Sequence, residues 1–270
     1  MEEMSDRSAL WLPLLRRLTD RVPEWSVYKN SDSALYGMGD VDCVAPKSVW
    51  PAVQREFMRW AGERDLGPVF LCNHVRPVLF LIAAPSRLPN FLEMDVTVRR
   101  TWRGSPLFGA AQIQQLTELD PLGFRRLRPG AEGLFKLAFN GIRWNGSPDL
   151  ENMRTKNVVG LLKKDPEGVR LAAQVSGLPA GPVLRVVDHL LAGEWNYPAV
   201  NMIQARSLLA GLRHPWIMLE TARLKTKLLM KAPPCCILET MFYTERRIPP
   251  DRDAWLHAVE RTHDVHHHPA

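Results

Sequence analysis

The sequence predicts an α+β protein, a mixed β-sheet with flanking helices followed by a mainly helical C-terminal half. Three observations predict it. Up to about Trp102, short apolar runs of strand length alternate with stretches of helical spacing. The runs at 69–73, 78–83 and 91–98 are joined by connections too short for a crossover, so consecutive strands should pair antiparallel. Beyond about residue 110, helical spacing dominates and Gly and Pro punctuate it.

In chain order, residues 8–20 place Leu10, Leu14 and Leu18 at helical spacing, with Pro13 near the start. Residues 25–29 read as a short strand. The stretch from Asn30 to Gly39 is rich in Ser, Asp and Gly and reads as a turn-rich loop. A second strand runs from Asp40 to Ala45 and stops at Pro46. Val49, Val53, Phe57 and Trp60 mark one side of a helix over 48–60. Further helices are expected at 134–139, 152–162, 168–175, 182–191, 202–212 and 216–230. The change of texture between Trp102 and Leu122 divides the chain into units 1–112 and 113–270.

Composition narrows the class. The 270 residues are 46% hydrophobic and 24% charged, the balance of an ordinary globular protein. Val78–Ala84 is strand length, too short to span a bilayer, and no membrane partner is expected. The acidic start Met1–Asp6 lacks the basic-then-apolar layout of a secretory signal, so a cytoplasmic location is expected. Cys43 and Cys72 sit in apolar runs, and adjacent Cys235 and Cys236 lack zinc-site spacing. The net charge of +6 suits a polyanion such as a nucleoside triphosphate or RNA without choosing between them.

The chemistry concentrates in Gly39-Asp40-Val41-Asp42-Cys43-Val44. On a strand, Asp40 and Asp42 project from one face about 6.5 Å apart. Two carboxylates in a dry site repel unless a cation sits between them. Asp95, within the strand pattern 91–98, supplies a third acid where an apolar residue would be cheaper to bury. In an antiparallel sheet its strand can lie beside the Asp40 strand, and three acids suit Mg2+ (or Mn2+). The alternative is a polar edge strand with exposed acids. Asp251 and Asp253 share the spacing, but they follow Pro249-Pro250 and open a helical run, where acids suit the helix dipole.

The order Tyr28-Lys29-Asn30, Gly39-Asp40-Val41-Asp42, Cys72-Asn73-His74-Val75-Arg76 and Met94-Asp95-Val96 resembles the nucleotidyltransferase superfamily, the polymerase β-like fold. The nearer likeness is to bacterial nucleotidyltransferase-like proteins of sugar and polysaccharide gene sets. It covers about 30 to 165, and the Lys in Leu134-Phe135-Lys136-Leu137 looks similar too. The resemblance implies a metal-dependent transferase moving a nucleoside monophosphate from an NTP to an acceptor, with release of pyrophosphate. The acceptor is a small molecule, RNA or protein. Asp40, Asp42 and Asp95 would be catalytic and hold the metal. Lys29, Ser31, Ser33, Gly39 and Arg76 would contact nucleotide and phosphate. Where the family's commonest version has Gly-Ser after the first strand, this chain has Asn30-Ser31-Asp32-Ser33. Two alternatives share the fold: a non-catalytic nucleotide- or RNA-binding protein, and a toxin-like enzyme acting on tRNA or protein.

Basic clusters come second. Arg99, Arg100 and Arg103 with interleaved Trp102 resemble a surface for a base, a phosphate or an RNA backbone. Arg125, Arg126 and Arg128 invite the same reading. The helix carrying Arg223, Lys225, Lys227 and Lys231 reads as a solvated face, and the histidines at 263 and 266–268 as a tail.

Overall fold

The computed structural model describes residues 2–37, 39–72, 78–84, 91–103, 105–217, 219 and 241–243. The protein is α+β, as expected. Helix α1 (Glu2–Arg21) leads into strand β1 (Ser26–Lys29), helix α2 (Ser31–Tyr36) and strand β2 (Val41–Val44). A single 3-10 turn precedes α3 (Trp50–Glu63), and β3 (Val69–Cys72), β4 (Val78–Ala83) and β5 (Leu92–Thr97) follow. Next come β6 (Arg99–Trp102), β7 (Ser105–Gly109), α4 (Ala110–Gln114), β8 (Thr117–Leu119) and β9 (Arg125–Leu127). Five helices succeed them: α5 (Pro129–Asn140), α6 (Thr155–Lys164), α7 (Pro166–Val175), α8 (Ala180–Leu191) and α9 (Tyr197–Arg213). Strand β10 (Met241–Tyr243) is the last described element.

Among the described residues, eight strands form one mixed sheet in the order β10-β3-β4-β5-β2-β1-β9-β8, and β6 pairs with β7 apart from it. The β3-β4-β5 meander is antiparallel, as its short connections require. The expected antiparallel relation between the Asp40 and Asp95 strands is corrected: β2 and β5 are parallel neighbours. The short-connection rule governs consecutive strands only. Helix α3 supplies a crossover after β2, and the two reversals of the meander then return β5 to the direction of β2.

Two further expectations change. The segment after Asn30 is a helix, α2, over most of the expected loop. Its polar letters cluster at the helix start, with Asn30 left-handed (φ 57°) before the first turn, and Ala34 and Leu35 bury themselves behind them. Asp40 lies just ahead of β2 rather than within it. The basic stretch 99–128, where the sequence pattern marks no strand, contains β6 to β9. Through β8, β9 and β10, chain beyond residue 112 enters the main sheet. Helices α5 to α9 overlap the expected ones, and most of the expected 216–230 helix lies outside the described residues.

The sheet separates two cores. One joins α1 and α3 to the face carrying Val41, Cys43, Leu79, Leu81, Met94 and Val96. Trp11 stacks on Trp60 at 5.1 Å, Phe57 meets Trp60 edge-on, and the Trp60 indole donates to the Leu10 carbonyl. The other core joins Tyr28, Val44, Phe108 and the helices α5 to α9. Strand alternation therefore turns Asp42, Glu93 and Asp95 away from α1 and α3 and toward the side of the helical half. Cys43 is a buried small hydrophobe. Among the described residues, no helix is long and apolar enough to cross a membrane.

Candidate metal centre

Parallel pairing of β2 with β5 sets Asp42 directly beside Asp95. Asp40, two residues earlier, completes a group in which one carboxylate oxygen from each residue lies within 4.8 Å of the others. Asp42 is 1% exposed, while Asp40 and Asp95 are half-buried. All donors are hard carboxylate oxygens, the set that Mg2+ and Mn2+ prefer. One of them, Asp95 Oδ1, is buried with no hydrogen-bond partner. A buried orphan acceptor is costly in a carboxylate, and a cation would satisfy it. The residues thus fit the metal that the resemblance implies.

A fourth acid belongs to the face. Continuing the β2–β5 register one step back sets Asp40 opposite Glu93, whose charge also acts on Asp95. Glu93-Met94-Asp95 repeats the spacing of Asp40-Val41-Asp42, a signal present in the sequence that the reading of Asp95 alone left unused. Burial, then Glu93, Asp40 and Asp42, push the Asp95 carboxyl up to about 8. Burial and Asp40 raise Glu93 as well. Burial likewise raises Asp42, against the pull of Lys29. The cluster holds protons it would give up to a divalent cation.

A bulge in β1 governs the surroundings of Asp42. Ser26 and Val27 pair with Val44 and Cys43, but the next paired residue is Lys29, opposite Asp42. Tyr28 is the extra residue, so both Tyr28 and Lys29 reach the same acid. The Tyr28 hydroxyl donates to Asp42 Oδ1 (3.2 Å), and Lys29 Nζ stands 3.0 Å from Oδ2. Arg100 from β6 donates through Nε to the Tyr28 oxygen (2.8 Å) and lies 3.7 Å from Asp42 Oδ1. Burial drives the Tyr28 pKa well above its usual value, which keeps the ring a neutral phenol. Burial opposes the Arg100 charge, but Tyr28 and Asp42 outweigh it and raise its pKa.

The segment before Asp40 is held from three sides. Arg7 of α1, 5% exposed, donates to the carbonyls of Ala34 (3.0 Å) and Gly39 (2.7 Å). Burial lowers its pKa, and the Asp40 charge works against that. Glu132 of α5, paired with Lys136 at 2.7 Å, accepts the Asn30 backbone N–H at 3.0 Å. Gly39 donates to the Ser33 carbonyl, and a Cβ there would stand 2.6 Å from Ser33 Oγ, so a side chain at position 39 would push Ser33 aside.

The structure brings Asp40, Asp42, Asp95 and Lys29 together, and Gly39 adjoins them. Ser31 is buried in the first turn of α2, and Ser33 packs against Gly39. Arg76, like His74, lies outside the described residues. Sequence reasoning placed Arg100 among the basic residues, not at the acid, and passed over Tyr28, Glu93, Arg7 and Glu132. The cluster at 125–128 is absorbed structurally. Arg125 donates to the Pro23 carbonyl, Arg126 pairs with Asp120 (3.1 Å) and Arg128 with Asp165 (2.6 Å). The basic helix near 223–231, Cys235 and Cys236, Asp251 and Asp253, and the C-terminal histidines lie outside the described residues.

No protein-family model matches the chain, and no curated protein matches it. Among solved structures, the crystal structure of JHP933 from Helicobacter pylori is similar at a TM-score of 0.36 and 14% identity, over 86% of this chain and 99% of that one.

Proposed function

We propose that this protein is a metal-dependent nucleotidyltransferase, moving a nucleoside monophosphate from an NTP to an acceptor and releasing pyrophosphate. The observation that carries the reading is the register pair Asp42–Asp95 with Asp40 beside it and an unsatisfied carboxylate oxygen within the group. Asp40, Asp42 and Asp95 would hold Mg2+ or Mn2+. The cation would supply charge neutralisation at the phosphates and at the attacking oxygen.

The chain's own groups do the rest. Lys29 and Arg100 face the acid beside a small apolar pocket lined by Tyr28, Phe135 and Phe139, and their charge would draw a triphosphate toward the acids. The acceptor oxygen attacks the α-phosphorus, the bond to the pyrophosphate oxygen breaks, and the acceptor proton passes to a carboxylate. Asp95, once its own proton is displaced on cation binding, would take it. Arg7, Glu132 and the close approach of Gly39 to Ser33 fix the Asp40 segment, so that positioning supplies much of the rate. A cytoplasmic location belongs to the same reading.

Incubating the protein with labelled NTP, Mg2+ and cell extract tests it. Wild type should label an acceptor and release pyrophosphate, and Asp42→Asn should do neither while keeping its fold. Equal labelling by Asp42→Asn would overturn the assignment. One observation favours a second, non-catalytic reading: Lys29 and Arg100 already neutralise Asp42 without a cation. Calorimetry separates the two, since a pure binder takes up NTP with no pyrophosphate release from any acceptor.

A further inference from the structure

A second cleft adjoins the first. Phe139 and Asn140 line both, and Arg100 lies 5.8 Å from the Phe139 ring, so the clefts meet one side chain away from Asp42. The far wall is the loop from Ile142 to Asp149, and it is unusually well pinned. Arg103, held in a left-handed conformation (φ 53°), donates to the carbonyls of Ile142 (3.2 Å), Arg143 (2.5 Å) and Trp144 (3.3 Å). Gln204 donates to the Arg143 carbonyl, the Trp195 indole to that of Gly146, and Arg143 pairs with Asp149.

The Arg103 guanidinium lies between two indoles, 4.5 Å from the Trp102 ring and 4.8 Å from that of Trp144. Trp102 is buried, but Trp144 is 69% exposed and Phe139 is 48% exposed. Leaving two large aromatic surfaces in water forgoes burial energy. Holding one of them on a fixed loop adds ordering cost. Both costs are offset if a flat ring stacks there, because a stacking platform held in place loses little further entropy on binding. The rim carries the Asn140 amide, and Asp149 holds Arg143 and the Asn152 amide beside it in a polar edge that suits a base. A duplex hides its base faces, while an unpaired strand exposes them.

We propose that this cleft takes an unpaired nucleobase of single-stranded RNA, stacked on Trp144, and that it is the acceptor side of the transferase. The net charge of +6 favours a polyanionic acceptor over a neutral small molecule. The acceptor role rests on the transferase reading, but the base-binding does not. The test uses a short labelled single-stranded RNA and the full chain, in chelator and without NTP, read by fluorescence anisotropy. Trp144→Ala should bind roughly 5- to 150-fold more weakly, the size of one base–aromatic stack, and Trp144→Phe should recover part of the loss. NTP affinity should be unchanged in both Trp144 variants. Absence of RNA binding by wild type, equal binding by Trp144→Ala, or equal binding of the same RNA as a duplex would overturn the proposal. A parallel loss of NTP affinity in Trp144→Ala would overturn the acceptor assignment, because the cleft would then hold the donor's base. If nucleotidyl transfer itself fails, the RNA binding and its dependence on Trp144 remain, so the two readings fail separately.

Discussion

Asp42 and Asp95 are register partners on adjacent parallel strands, each carboxylate facing the other across the β2–β5 ladder. Like charges placed side by side in a sheet destabilise it. Above a pH of about 8, where Asp95 is ionised, replacing it by Asn should therefore raise the melting temperature of the metal-free protein and abolish its further stabilisation by Mg2+. Thermal melts with and without the ion check both. A lower melting temperature together with retained Mg2+ stabilisation would contradict the placement of Asp95.

The acidity of Asp95 sets a pH window. Its folded pKa of about 8 lies above the ordinary 3.8, so its contribution to stability is fully present below about 4 and is lost as pH rises through about 8. The raised Asp42 and Glu93 act in the same direction. Without metal, the protein should lose stability as pH rises from about 4 to about 8. Mn2+ binding should tighten over the same interval, since the cation competes with protons. Calorimetric titrations across that range follow the trend, and binding that weakens with rising pH would refute it.

Lys29 stands 3.0 Å from Asp42 Oδ2, where a bound cation would have to compete with it. Lys29→Met should strengthen Mn2+ binding when no NTP is present, and should weaken NTP binding. Isothermal titration of each ligand separately reads the two effects. If both affinities fall, Lys29 is needed to shape the site rather than to balance it.

Arg7 ties α1 to the carbonyls of Ala34 and Gly39. Arg7→Met removes two buried charge-assisted hydrogen bonds, so a loss of about 2–4 kcal/mol in unfolding free energy is expected. Mn2+ affinity should fall roughly tenfold as Asp40 loses its fixed position. Denaturant unfolding and a metal titration on the same variant measure both. Trp60→Ala, in the core behind the sheet, should cost about 3–5 kcal/mol with metal affinity little changed in the fraction that remains folded.

The sequence displayed the acids because each interrupts an apolar pattern: Asp42 between Val41 and Cys43, Asp95 between Met94 and Val96. Period-two alternation assigned them to one face before any pairing was known. What it could not display was direction. Whether β5 runs with β2 or against it depends on the α3 crossover and on two reversals, and no local spacing records their sum. The segment after Asn30 misled for a compositional reason. Ser, Asp and Gly averaged over ten positions hid Ala34 and Leu35, the two residues that make it a helix. Arg7 and Glu132 were invisible because their partners are backbone atoms 27 or more positions away.

Tyr28 is one residue more than β1 needs to pair with β2. A strand without it would offer Asp42 a single neighbour, a phenol or an ammonium, but not both. The charge balance of the buried acid is therefore written in the length of the chain as much as in its letters. A one-residue deletion between Val27 and Lys29 would unbalance the acid while leaving Lys29, Asp42 and Arg100 in place in the sequence. Such a deletion variant would look intact by composition and motif, yet would reach Asp42 with a different hand.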